Sequence, residues 1–188
     1  MVDGIKRALC LFTSRLRWMG WAHPLWISYD PPHCKLTGEQ YDKVVNTMAM
    51  GDILITRSDG YLSNLFLPGW WCHAGICTGD TRITHATNAG VHDDHLLDFL
   101  QTDYVMVLRP KSAHASRLAV TKALGVIGYE YDFDFDFTDT SRFACTEFVT
   151  FCYDKQIKAR RKCLGRQVVV ADDLLDNPNF FVVYRNDL

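Results

Sequence analysis

Two apolar runs, residues 73–78 and 82–87, are separated by little more than Gly79-Asp80. A link that short closes a hairpin and nothing else, because a parallel pair needs a crossover of a dozen or more residues. Further strands are expected at I-L-I-T-R after Gly51-Asp52, at Y-V-M-V-L-R (104–109, closed by Pro110) and at F-F-V-V-Y near the end of the chain. Helical periodicity falls between and after them. Thr37 and Gln40 fit a capping box ahead of a stripe of Tyr41, Val44, Val45 and Met48. Ser112 can cap a helix with Val120, Ala123, Leu124 and Ile127 inward. Residues 171–175, A-D-D-L-L, read as a helical turn. The pattern predicts an α+β fold, an antiparallel sheet with helices packed on one side.

The chain divides at about residue 35. Residues 1–35 are an amphipathic and irregular extension, and residues 36–188 carry the main domain. In the extension, Ile5, Ala8, Leu9, Phe12, Leu16 and Met19 share one helical stripe over residues 5–19, with Lys6, Arg7, Arg15 and Arg17 mostly elsewhere. Such a helix, with Trp18 and Trp21 nearby, can lie on a membrane surface. Packing on the domain, or service as a partner-binding arm, is the expected alternative. Pro24, Pro31 and Pro32 then mark an irregular connection.

Hydrophobic residues at 48% and charged residues at 22% suit a globular domain, and a net charge of -2 gives no reason to expect nucleic acid. Seven cysteines, an odd number without C-x-x-C spacing, argue against a disulfide framework. No apolar run matches a membrane span. The run Ala8–Phe12 is too short for a signal peptide and is followed by Arg15 and Arg17, so a cytoplasmic location is expected.

The chemistry concentrates in S-R-F-A-C-T-E-F-V-T-F-C, residues 141–152. Cys145, Phe148, Val149 and Cys152 recur at helical spacing, with Thr140 or Ser141 placed to cap. Cys145 then lies at the helix start, where free N–H groups favour a thiolate. It needs a base, and His73 and His85 sit on the two arms of the hairpin. A two-residue loop would pair Ala74 with His85 and put the histidines on opposite faces. A three-residue loop, Thr78–Asp80, would pair His73 with His85 on one face, and this register is expected because it lets one imidazole orient the other.

Other clusters are weaker. H-D-D-H, His92–His95, reads as a loop with a non-specific metal signal, and no Cys or His set has zinc spacing, so no metal is expected. Asp132, Asp134 and Asp136 alternate along an edge strand or extended loop without EF-hand spacing. His23, His33 and His114 read as surface or core residues, and Cys72, Cys77 and Cys163 as packing or loop positions.

Six segments, in order, carry a resemblance: G-D-I-L-I-T (51–56), H-A-G-I-C-T-G-D (73–80), T-H-A-T-N-A-G-V (84–91), Y-D-F-D-F (131–135), A-C-T-E-F-V (144–149) and A-D-D-L-L-D-N-P-N-F (171–180). Together they resemble the permuted, NlpC-type papain-like cysteine hydrolases, closest to the YiiX-like branch, over most of residues 50–186. In that branch the His-bearing strand precedes the Cys helix. The resemblance implies a permuted papain-like domain, with Cys145 as nucleophile and His73 as base. YiiX-like proteins usually carry a carboxylate where His85 stands. The lecithin:retinol acyltransferase family carries a histidine there, and its H-x-x-x-x-x-G-D hairpin is similar to His73–Asp80.

The expected function is therefore a thiol hydrolase that cleaves an amide of a peptide or peptidoglycan-like substrate through Cys145, His73 and His85, with a thioester intermediate and no cofactor. Alternatives are a lipid acyl hydrolase or acyltransferase, with the N-terminal helix on lipid, and a catalytically inactive binding module on the same fold. Trp70, Trp71 and Phe66 are placed to wall an apolar subsite or to pack in the core. Glu147, two residues past the nucleophile, is placed to brace the helix or shape the pocket.

Overall fold

The computed structural model describes residues 2–20, 27–29, 34–65, 69–154, 157–158, 161–163 and 166–186. Trp21, His23, Pro24, Pro31, Pro32, His33 and Phe66 lie outside the described residues. The chain runs α1 (Val2–Thr13), β1 (Leu16–Trp18), β2 (Ile27–Tyr29), α2 (Gly38–Thr47), β3 (Ile53–Arg57), β4 (His73–Gly79), β5 (Arg82–Thr87) and β6 (Gly90–His95). It continues with α3 (Leu96–Phe99), β7 (Tyr104–Pro110), α4 (Ala113–Gly125), α5 (Cys145–Cys152), β8 (Arg161–Cys163), β9 (Arg166–Val168) and β10 (Phe180–Arg185). Short 3₁₀ turns occupy Leu62–Leu65 and Ala171–Leu174.

Six strands form one antiparallel sheet in the order β10-β7-β3-β4-β5-β6. Side chains alternate across it, and both faces are apolar. Ile53, Ile55, Ala74, Ile76, Met106 and Leu108 pack with Ala119 and Ala123 of α4 and Phe148, Val149 and Cys152 of α5. The opposite parity, Leu54, Cys77, Ile83, Val105 and Val107, packs with Val44 of α2 and Leu96 and Phe99 of α3. Full burial of each large side chain stabilises by roughly 1.5–3 kcal/mol. Helices therefore cover both faces, and the expectation of helices on one side is corrected. Ile53–Ile55 and Val105–Leu108 are continuous hydrophobic runs because both faces of their strands are buried there.

The local signals hold at α2, where Thr37 and Gln40 exchange both capping hydrogen bonds (2.9 and 3.3 Å), and at α4, capped by Ser112. On α4 the inward face is Ala119, Val120 and Ala123, whereas Leu124 is exposed, as is Ile127 just past the helix end. The helix expected over 5–19 stops at Thr13, and Leu16–Trp18 pair with Ile27–Tyr29 instead. Its apolar stripe does not pack inward: Ile5, Leu9 and Phe12 are 66%, 59% and 53% exposed. The extension is pinned farther along. Arg17 is buried, donates to the Asp59 carbonyl at 2.7 Å and pairs with Asp103. No helix among the described residues is long and apolar enough to cross a membrane.

The hairpin differs from both predicted registers. His85 pairs with Gly75 and Ile83 with Cys77; a bulge at Thr78 then shifts Gly79 onto Arg82, and the turn is Asp80-Thr81. One extra residue in a strand reverses its parity. His73 and His85 thus share a face, but diagonally rather than as a direct pair.

Candidate active site

Cys145 is the first residue of α5. The expected caps are not used. Ser141 instead donates its N–H and hydroxyl to Asp139 (2.8 and 2.7 Å), and Ala144 is the cap residue. The carboxyl group of Glu147 reaches back one turn and accepts the Ala144 N–H at 2.7 Å through Oε2. Glu147 is buried, and burial, with the negative charge of Asp132 beside it, pushes its carboxyl up to about 8. It braces the helix and does not line the cleft that holds Cys145. The acidic run ahead of α5 is a loop. Buried Asp132 accepts N–H groups from Asp134 and Asp136, and Arg142 ties it to Asp139.

Burial pushes the Cys145 thiol up to about 11, against the opposing pull of the Ala74 and Thr146 backbone N–H groups. The thiolate expected from the helix terminus is therefore not the resting form, because desolvation penalises the charge more than two donors relieve it. Cys145 and His73, the first residues of α5 and β4, line the same cleft.

His73 and His85 meet edge to face, with Nε2 of His73 2.7 Å from Nδ1 of His85. Phe99 of α3 packs beside both rings at 5.6 and 5.1 Å. His85 Nε2 lies 3.1 Å from Asp94 Oδ2. Burial, reinforced by the neighbouring histidines, pulls His73 down to about 3. Burial pulls His85 down to about 4, against the opposing pull of Asp94. Gly75 makes the approach of the rings possible: a Cβ there would lie 2.7 Å from Ile83, 2.9 Å from Phe99 and 3.1 Å from His85.

Cys145, His73, His85 and Asp94 all line one cleft of about 520 Å³, with Trp71, Tyr131, Phe133, Val170 and Ala171 in its walls. Cys10, Ser14 and Arg15 from α1 and the turn after it close one side. Asp172, from the A-D-D-L-L turn, fixes the wall by accepting the N–H groups of Trp70 and Trp71 at 3.0 and 3.1 Å. Of the two tryptophans only Trp71 lines the cleft. Trp70 turns away, under Arg57 and against Tyr104. Burial raises the Tyr131 hydroxyl well above its ordinary value, so it stays a donor.

Asp94, Gly75 and Tyr131 were missed by sequence reasoning. Asp94 belongs to H-D-D-H, which is not a loop but strand β6, in register with β5 so that His92 faces His85. His92 Nδ1 is 2.9 Å from the Gly90 carbonyl, and its Nε2 is 3.3 Å from Asp94 Oδ2. The signal available in sequence was the short link Asn88-Ala89 after the second arm, which closes another hairpin.

A family model described as permuted papain-like amidase enzyme, YaeF/YiiX, C92 family, matches residues 47–183. Among solved structures, the crystal structure of metalloprotein yiiX from Escherichia coli O157:H7, DUF1105, is similar with a TM-score of 0.62 at 18% identity. The similarity covers 74% of this chain and 98% of that one, and it identifies the fold. No curated protein matches.

Proposed function

This chain belongs to the permuted papain-like amidase family, YaeF/YiiX, C92, and from that premise we propose that it is a cysteine hydrolase cleaving an amide bond of a peptide or peptidoglycan-like substrate. Cys145 is the nucleophile, His73 the base and acid, and His85 and Asp94 the residues that orient the base. The observation that carries this reading is the chain of hydrogen bonds from Asp94 through His85 to His73 Nε2, in the cleft that Cys145 also lines.

That chain has a single consistent set of roles for the reaction. His85 donates Nε2–H to Asp94, accepts at Nδ1 from His73 Nε2–H, and leaves His73 Nδ1 as a lone pair. Nδ1 takes the thiol proton as sulfur attacks the amide carbon. The oxyanion is met by the Cys145 N–H, with Tyr131 as the second donor. His73 returns the proton to the departing amine, leaving a thioester. Water attacks the thioester, gives its proton to His73, and the acid leaves as the thiol is restored.

The exposed stripe Ile5, Leu9 and Phe12 supports a second reading, a lipid acyl substrate, because the same segment supplies Cys10 and Ser14 to the cleft wall. Purified protein assayed on γ-D-glutamyl and other peptide amides, and on acyl-lipid micelles, separates the two. Cys145→Ala is expected to abolish turnover on the active substrate. A Cys145 that reacts with iodoacetamide no faster than exposed Cys10 or Cys34 would leave only a binding module. The structural relative is described as a metalloprotein, and His85, His92 and Asp94 are the residues of this chain that fit a divalent ion. No step above passes through one.

A further inference from the structure

We infer that His85 Nε2, His92 Nε2 and Asp94 Oδ2 form a site for a divalent transition metal of the zinc class, and that filling it switches the hydrolase off. The ligand set comes from facing lone pairs. His92 Nδ1 lies 2.9 Å from the Gly90 carbonyl oxygen. A carbonyl only accepts, so Nδ1 carries the hydrogen and the neutral ring presents a bare lone pair at Nε2. That lone pair faces Asp94 Oδ2, another acceptor, across 3.3 Å. Two facing acceptors are joined by a cation, either a proton on Nε2 or a metal ion, and His85 Nε2 stands 3.1 Å from the same oxygen.

The spacing suits a small ion. Metal bonds of about 2.0–2.1 Å in a tetrahedron place neighbouring ligand atoms about 3.3 Å apart. Both contacts to Asp94 match that edge, and all three atoms lie within 4.8 Å of one another. Two imidazoles and one carboxylate favour zinc and its neighbours over calcium or magnesium. Both rings are already aimed by their other nitrogen, His92 by the Gly90 carbonyl and His85 by His73, the outer support that metal-binding histidines use. The two histidines sit opposite one another on β5 and β6, on rigid sheet. His85 and Asp94 line the cleft, so a remaining coordination position opens toward it.

Occupancy reverses the hydrogen bonds on which the proposed reaction rests. A metal on His85 Nε2 displaces the hydrogen donated to Asp94, and the neutral ring then carries hydrogen on Nδ1. It must donate to His73 Nε2, so His73 holds its hydrogen on Nδ1, the atom that should receive the thiol proton. Each ring keeps one hydrogen, moved to its other nitrogen, and the base is blocked.

Cobalt(II) added to the metal-stripped full-length protein tests the site without reference to activity. One equivalent should bind by equilibrium dialysis, with visible d–d bands and no sulfur charge-transfer band. Cys145→Ala should bind equally well. His92→Ala should weaken binding by about 100-fold or more, above the range for loss of an outer partner. His92→Gln, which keeps an amide donor for Gly90, serves if the alanine variant unfolds. Unchanged affinity in the folded His92 variant, loss of binding in Cys145→Ala, or no binding by the parent overturns the site. One equivalent of zinc should abolish turnover, restored by chelator, while the His92 variant, each rate relative to its own metal-free rate, is insensitive. Zinc that binds and leaves the rate unchanged or raises it overturns the switch. One-to-one binding with no turnover even in stripped protein sinks the hydrolase reading and leaves the site standing.

Discussion

Gly75→Ala places a single methyl group at the point where fold and chemistry meet. Gly75 lies opposite His85 in the hairpin, two residues after His73, and its φ is not left-handed, so backbone strain does not enter. The added carbon would sit 2.7 Å from a methyl of Ile83, 2.9 Å from the Phe99 ring edge and 3.1 Å from His85 Cβ. Comfortable carbon contacts are about 3.5–4.0 Å, so neighbours must retreat by roughly 0.5–1 Å. Overpacking of this kind costs typically 1–3 kcal/mol, which leaves a folded protein. The functional loss should be larger. Both Phe99 and His85 are displaced, and a misplacement near 1 Å costs on the order of 100-fold in rate. Urea unfolding, kcat/KM and the rate of Cys145 alkylation, measured together, test this. The expected result is a modest fall in midpoint with a loss of about 100-fold in both rates. Native rates in Gly75→Ala would refute the claim that this missing side chain sets the position of the His pair. Removing the closest obstacle in Gly75→Ala/Ile83→Ala should restore part of the activity at a further cost in stability.

Three further outcomes are expected. Glu147 holds its proton up to about pH 8 when folded, against an ordinary value of 4.5, so the folded state binds more protons and stability must fall as pH rises between those values. At about 1.36 kcal/mol per pH unit the ceiling is ~5 kcal/mol, and Glu147→Gln should flatten the decline, so parallel urea midpoints for the two proteins from pH 5 to 9 would refute it. Tyr131→Phe should lower kcat by about 10²–10³ with little change in KM, the signature of a lost oxyanion donor, and a change confined to KM would reassign Tyr131 to substrate contact. Asp172→Ala releases the Trp70 and Trp71 N–H groups and should raise KM while leaving the alkylation rate of Cys145 near native, as measured by steady-state kinetics and iodoacetamide labelling.

Much of this protein is written locally. The hairpin, the Thr37–Gln40 box, the Ser112 cap and the cysteine at a helix start depend on residues within a few positions of one another, where turn chemistry and periodicity act. Tertiary packing decided the rest. The bulge at Thr78 settled which face His85 takes, and α2 and α3 covered the second face of the sheet. Glu147 displaced the expected caps of α5, and burial overruled the helix terminus at Cys145. Asp94 joined His85 only through the pairing of β5 with β6. Desolvation and strand parity both depend on which distant segment arrives alongside, and no run of neighbouring residues carries that information.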